Sequence, residues 1–311
     1  MARLIAVRLL QAIPALLGVT LVVFLLLHVS GDPASILLPP EASEADRQAF
    51  RTAYGLDKPL AVQYGLFVAN ALRGDLGVSF SYHEPTVAVL LRRLPATIDL
   101  ALAAVALALA VALPAGILAA LRRNSLLDQV VMLGAALGQS IASFWLGLML
   151  ILVFAVQLGM LPASGQSGLA SLVLPAVTLS TFLMALMARL VRSAMLEVLN
   201  REYVRTARAK GLRERTVVVR HALRNALIPV VTVLGVSLSN LMGGAVVTET
   251  VFAWPGVGTL MFDSVIRRDY PMVLTVVFFV GVVFVLVNLA VDLLYTAIDP
   301  RIRYGGEQAA A

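Results

Sequence analysis

Apolar residues recur along this chain in long unbroken runs and do not alternate with polar ones. Six runs reach the length of a bilayer-spanning helix, about 20 residues: 9–29, 96–121, 130–158, 169–190, 227–252 and 272–298. Lipid offers no partner to an open strand edge, so each run is read as an α-helix. The first is longer than the apolar core of a signal peptide and no A-x-A site follows it, which favours a retained anchor. The predicted fold is all-α, a polytopic membrane protein with six transmembrane helices. Its organisation is an N-terminal segment and first span (1–30), a long loop (31–95) and a five-span core (96–311) carrying a polar segment at 191–226.

Composition agrees. The 311 residues are 60% hydrophobic and 14% charged, against about 45–50% and about 25% in soluble domains. Arginines orient the spans, because basic residues collect in cytoplasmic loops. With Arg3 and Arg8 inside, Arg122, Arg123, the 191–226 loop, Arg301 and Arg303 also fall inside. Both termini are then cytoplasmic. The loop 31–95, the uncharged turn 159–168 and the segment 253–271 lie outside. Within the outer loop, "EADRQAFRTAYGL" predicts a short helix with Ala45, Ala49, Phe50, Ala53 and Tyr54 on one side, ended by Gly55.

The chemistry is sparse. There is no cysteine, which excludes disulfides, thiolate nucleophiles and cysteine metal sites. His28, His83 and His221 are scattered without metal-ligand spacing. No P-loop precedes Lys58 or Lys210, and no G-x-S-x-G or H-E-x-x-H is present. The expectation is a non-catalytic chain with no cofactor or metal of its own. The net charge of +6 points to cytoplasmic loops and anionic lipid. Aromatic residues are not interleaved with the basic run, so nucleic acid is not an expected partner.

The charge gathers at 201–230, where Arg201, Arg205, Arg208, Lys210, Arg213, Arg215, Arg220 and Arg224 face only Glu202 and Glu214. One reading is a charge anchor on an anionic leaflet. Three details favour more. Thr206, Ala207 and Ala209 make a small-residue helical segment that a partner surface can approach. Gly211 follows, where a left-handed residue ends a helix. Val219, Ala222, Leu223 and Ala226 then recur at the spacing of one apolar helix face, before Pro229 and the fifth span. A short helix, a break and an amphipathic helix entering the membrane form a device for passing a push to a transmembrane helix.

Polar residues within or beside the spans are functional suspects. Asp99 reads as a helix N-terminal charge favoured by the macrodipole, with a substrate contact as the alternative. Asp292, near Tyr295, reads as a structural pairing. Glu249 is either a gate near the outer mouth or part of a structural turn, with Trp254 suited to the membrane interface and Pro255-Gly256 making the turn. Ser237, Ser239 and Asn240 either line a pathway or hydrogen-bond between helices. Gly134 and Gly138 share one face of the third span, as helix packing in lipid favours.

The stretch "EYVRTARAKGL…RHALRNALIPV" closely resembles the cytoplasmic EAA loop of binding-protein-dependent ABC importer permeases, and more narrowly the B-type permeases of the dipeptide, oligopeptide and nickel group. "LLHVSGDPAS", "YGLDKPLAVQY", "LRGDLGVSF" and "RLPATIDLAL" agree, as do "GGAVVTETVFAWPGVGTLMFDSVIRRDYPMV" and "VNLAVDLLYTAIDPRIRYG". The match runs through the whole chain in order. It departs from the general loop pattern at Arg205-Thr206-Ala207, where that pattern begins Glu-Ala-Ala, and at His221 and Arg224.

The resemblance implies a multi-pass protein of a bacterial cytoplasmic (inner) membrane that carries a small solute, foremost di- or oligopeptides, by alternating access. It implies a homologous C-type permease as heterodimer partner, two cytoplasmic ABC ATPases holding ATP and Mg, and an extracytoplasmic solute-binding protein docking on the outer loop. Tyr203, Thr206, Ala207, Lys210, Gly211 and Leu212 would meet the ATPase; Ser237, Ser239, Asn240 and Glu249 are the pathway or gate candidates. A nickel or glutathione importer within the same family is one alternative. An ion-gradient-driven secondary transporter is another, and a membrane scaffold or sensor a third.

Overall fold

The computed structural model describes residues 2–298. Among these the regular structure is helical, apart from a single antiparallel bridge between Val78 and Pro85. The helices are α1 (Ala2–Ser30), α2 (Ala34–Leu37), α3 (Glu44–Ala53), α4 (Leu60–Ala71), α5 (Thr86–Leu121), α6 (Leu126–Ser140), α7 (Ser143–Leu150), α8 (Leu169–Leu199), α9 (Glu202–Ala209), α10 (Glu214–Thr216), α11 (Arg224–Val251), α12 (Val257–Ile266) and α13 (Tyr270–Ile298). π-Helical segments extend α7 (Ile151–Gln157) and join α10 to α11 (Val217–Leu223).

Five helices are long and apolar enough to cross a membrane, or six if the bent pair α6–α7 is one span. The six predicted spans therefore correspond to observed helices, with two corrections. The second does not begin at 96: α5 starts at Thr86, because the polar Arg92 and Arg93 ride on a helix that continues out of the apolar run. The third is not straight. Ile141 and Ala142 take extended dihedrals and turn the helix by 104°.

The chain divides into two compact units. One comprises the chain up to Thr97 with Pro255–Leu286. Its aromatic-rich core joins Phe24 and Leu27 of α1, Phe80, and Tyr270, Val273 and Leu274 of α13. The Tyr270 hydroxyl lies 2.6 Å from the Leu27 carbonyl oxygen and also reaches that of Gly31. Asp269, fully buried, accepts from the backbone N–H groups of Phe80 (3.1 Å) and Ser81 (3.0 Å) and from the Ser79 hydroxyl. It also receives the Met272 N–H at 3.3 Å, in the manner of a helix N-cap. One carboxylate thus starts α13 and clasps the 79–81 turn.

The predicted outer-loop helix is α3. Ser43 and Asp46 form a reciprocal capping box, and Gly55 has φ +66° just past its end. The predicted side is covered only at its aromatic positions. Ala45, Ala49 and Ala53 are exposed, whereas Phe50 and Tyr54 meet Phe80 edge-on and Arg51 pairs with Asp32 at 2.6 Å. Alanines bury too little surface to decide the face once two aromatic rings compete for it.

The other unit comprises Ile98–Trp254 and the segment from Val287. α8 is its central helix, packed on α6, α7 and α11. Close helix approach relies on small residues. A Cβ on Gly116 would meet the Ala188 carbonyl oxygen at 2.7 Å, and one on Gly138 would meet Ala185 at 3.2 Å. Gly134 has open space instead. Trp254 is 1% exposed and packs within the protein. The side chains of Ser239, Asn240, Asp292 and Tyr295, and residues 299–311 with Arg301 and Arg303, lie outside the described residues.

Candidate functional site: a coupling helix and its support

α9 is an eight-residue helix beginning after Arg201, whose dihedrals are extended, with Glu202 in its first turn. It ends at Lys210. The Gly211 N–H bonds the Arg208 carbonyl (2.9 Å) and the Leu212 N–H bonds the Ala207 carbonyl (3.4 Å). With Gly211 at φ +77°, this is a Schellman stop. Across the turn, Arg208 holds Glu214 in a two-point bridge, Nε to Oε2 at 3.1 Å and Nη2 to Oε1 at 2.7 Å. The bridge raises the Arg208 pKa, chiefly through the hydrogen bond to Glu214. Both side chains are substantially exposed, so water screens the pair and its main effect is geometric.

Val204 and Ala207 face inward and cluster with Val217, with Val198 and Leu199 packed alongside. Ala207 is 6% exposed. This corrects its expected role, since it contacts its own chain and presents no surface to a partner. Tyr203, Thr206, Lys210, Gly211 and Leu212 are exposed. The Asn225 Nδ2 donates to the Tyr203 hydroxyl at 2.8 Å, which ties α9 to α11. Tyr203, Arg220, His221, Arg224 and Ile228 line a cleft of ≈ 640 Å³ beside this bond.

The predicted apolar face at 219, 222, 223 and 226 is corrected at Val219 alone. Val219 is 56% exposed, while Val217, Val218, Ala222 and Ala226 are buried. The segment is π-helical over Val217–Leu223. The wider turn moves buried positions to a four-to-five-residue spacing, so a 3.6-residue period assigns the wrong valine.

A second tie was not anticipated. Arg192 near the end of α8 grips Asp128 in the first turn of α6, Nε to Oδ1 at 2.5 Å and Nη2 to Oδ2 at 2.7 Å. Asp128 also accepts the Asn124 N–H at 2.9 Å, and its own N–H reaches the Ser125 hydroxyl at 3.3 Å. The sequence signal was Ser125-x-x-Asp128 ahead of an apolar run, a helix-start signature.

Of the pathway candidates, Ser237 and Glu249 have described side chains. Ser237 is 8% exposed, donates to the Val233 carbonyl at 2.7 Å, and lines a cavity of ≈ 410 Å³ with Ser143, Thr178, Thr181, Phe182 and Leu241. Glu249 is fully buried near the end of α11, and its carbonyl accepts the Trp254 N–H at 2.8 Å. Asp99 lies thirteen residues beyond the first residue of α5, Thr86. Its expected role as a helix N-terminal charge is therefore corrected.

These features define a helical, multi-pass membrane protein with a folded, solvent-facing helix-break-helix element. Comparison with known proteins is consistent with this. Residues 112–304 match the model of the binding-protein-dependent transport system inner membrane component, and residues 1–101 that of the N-terminal component of such systems. The chain belongs to this family of transport-system permeases. It is 41% identical to the oligopeptide transport system permease protein AppB of Bacillus subtilis, over 98% of this chain and 100% of that one. It is 43% identical to the glutathione transport system permease protein GsiC of Escherichia coli K12, over 96% and 97%. Among solved structures, an inward-facing form of the MetNI methionine ABC transporter shares the fold over 68% of this chain and 97% of that chain, with a TM-score of 0.57 at 22% identity. The protein is thus a non-catalytic, multi-pass subunit of an ABC importer in the bacterial inner membrane, acting with ATPase subunits.

Proposed function

We propose that the chain forms half of a pathway importing di- or oligopeptides by alternating access, with a homologous C-type permease as the other half. Two ATPases bind ATP and Mg beneath the pair, and a binding protein delivers solute to the outer face. The peptide assignment rests on the oligopeptide permease resemblance at 41% identity. Glutathione, carried by another relative's system, is itself a tripeptide and falls within the same chemistry.

The observation that carries the coupling role is the Schellman-stopped helix α9, with Tyr203, Thr206, Lys210, Gly211 and Leu212 exposed. A charge anchor has no use for a fixed helix stop, a bridge across it and a hydrogen bond back to α11. On this reading ATP-driven closure of the ATPases moves α9. The Tyr203–Asn225 bond and the Val204–Ala207–Val217 cluster then carry the movement to α11. Such a shift follows from the ATPases binding two states of the permease with different affinity. Ser237, Ser239, Asn240 and Glu249 remain the pathway or gate assignments, and the outer loop the docking surface for the binding protein.

Uptake of labelled dipeptide by proteoliposomes containing all partners tests the function. ATP-dependent accumulation is expected. Accumulation driven by an ion gradient without ATP overturns it.

A further inference from the structure

We propose that Asp99 and Gln166 form a cation site on the transport pathway that takes the terminal ammonium of the peptide; this rests on the peptide reading above. Asp99 lies more than three turns inside α5, where the N-terminal dipole no longer favours an anion. It is exposed and has no hydrogen-bond or ion-pair partner among the described residues. Asp99 lies three residues inside the apolar run that begins at 96, and an acid so placed faces a cavity or a partner in preference to lipid.

The carboxylate opens on a cleft of ≈ 480 Å³ lined also by Gln166, Leu102, Leu169, Leu172 and Trp254. Gln166, from the turn before α8, is likewise exposed and without a partner. Trp254 is buried and gives the cleft a fixed apolar boundary. An ammonium group has three N–H donors and no acceptor. A carboxylate and a carboxamide oxygen satisfy it, while three leucines offer an apolar wall to the adjoining side chain. The lining has no cationic side chain to complement a carboxylate ligand, so the site selects the amino end of a peptide and not its carboxyl end.

The absence of cysteine from the chain allows a single reporter, Leu102→Cys, in the assembled transporter with its binding protein and ATP. Thiol labelling of this chain is followed by mass. A free-ammonium dipeptide is expected to slow labelling, its N-acetylated analogue is not, and Asp99→Asn is expected to abolish the protection. In parallel, Asp99→Asn in the cysteine-free chain should lower dipeptide uptake about 10-fold, the loss of one charge-assisted hydrogen bond, with Asp99→Glu restoring most of it. Co-purification of the ATPases serves as the assembly control.

Equal protection by both peptides, protection that survives Asp99→Asn, or no protection overturns the site. If Asp99 instead pairs with a cation of the partner permease, Asp99→Asn loses assembly and no ammonium selectivity is seen, which also overturns it. Failure of the unsubstituted complex to accumulate dipeptide with ATP overturns the peptide reading and the assignment together. Accumulation without ammonium-selective protection overturns the site alone.

Discussion

Arg192 and Asp128 are joined by two parallel hydrogen bonds of 2.5 and 2.7 Å that lock the end of α8 to the start of α6. Asp128 is almost wholly buried and Arg192 partly so. Asp128→Asn loses the charge-assisted hydrogen bonds and is expected to destabilise the unit by about 2 kcal/mol, seen as a lower unfolding temperature of the assembled transporter in detergent. The double change Asp128→Leu with Arg192→Met should recover much of that loss, because well-packed apolar residues often replace a buried pair at little cost. An unchanged unfolding temperature for Asp128→Asn contradicts the assignment of the pair as structural.

At Gly211 the expected effect is conformational. Nothing stands within 4 Å of an added Cβ, so the penalty of Gly211→Val is that of the left-handed backbone, about 1–2 kcal/mol. Asn tolerates this conformation better than a β-branched residue. Gly211→Val should therefore reduce ATP-driven uptake and ATPase co-purification, while Gly211→Asn stays near the unsubstituted protein. Equal behaviour of the two variants means the positive φ is not what the site requires.

Ala207 and its exposed neighbours should separate folding from coupling. Ala207→Phe overfills the Val204–Val217 cluster and is expected to destabilise by about 1–3 kcal/mol, with loss of transport as a consequence. Combined Thr206→Ala, Lys210→Glu and Leu212→Ala changes alter exposed side chains. They should leave the unfolding temperature of the permease pair nearly unchanged while abolishing co-purification of the ATPases. Full ATPase binding by that triple variant makes the 201–230 segment a charge anchor. Neutralising Arg213 and Arg215 provides the comparison.

Asp269 should control the order of the outer loop. Its carboxylate accepts two backbone N–H groups and a hydroxyl from residues 79–81, and Asp269→Ala leaves those donors unsatisfied, at about 1–3 kcal/mol apiece. Limited proteolysis from the outside should leave residues 31–95 largely intact in the unsubstituted complex and cut them rapidly in Asp269→Ala. Similar rates in both proteins mean the clasp does not hold the loop.

What the residues alone determined was set by the solvent and by local backbone chemistry. A bilayer demands about 20 apolar residues per crossing, so the spans were legible. Gly55 ended α3 and Gly211 stopped α9, because left-handed turns depend on neighbours in sequence. Tertiary structure decided which side chains meet. The clasp of Asp269 on Ser79 joins residues 190 apart and the Asp128–Arg192 pair residues 64 apart, separations at which no periodicity carries a signal. It also decided faces. Ala207 turned inward because the Val217 pocket took it, and Val219 turned outward because the helix widened to a π turn. For Asp99, the apolar run placed the residue at a helix start, whereas the folded chain carries α5 back to Thr86 and leaves the carboxylate in a cleft instead of at a dipole. Local rules report how a residue treats its own backbone; which distant group it faces is settled only when the helices pack.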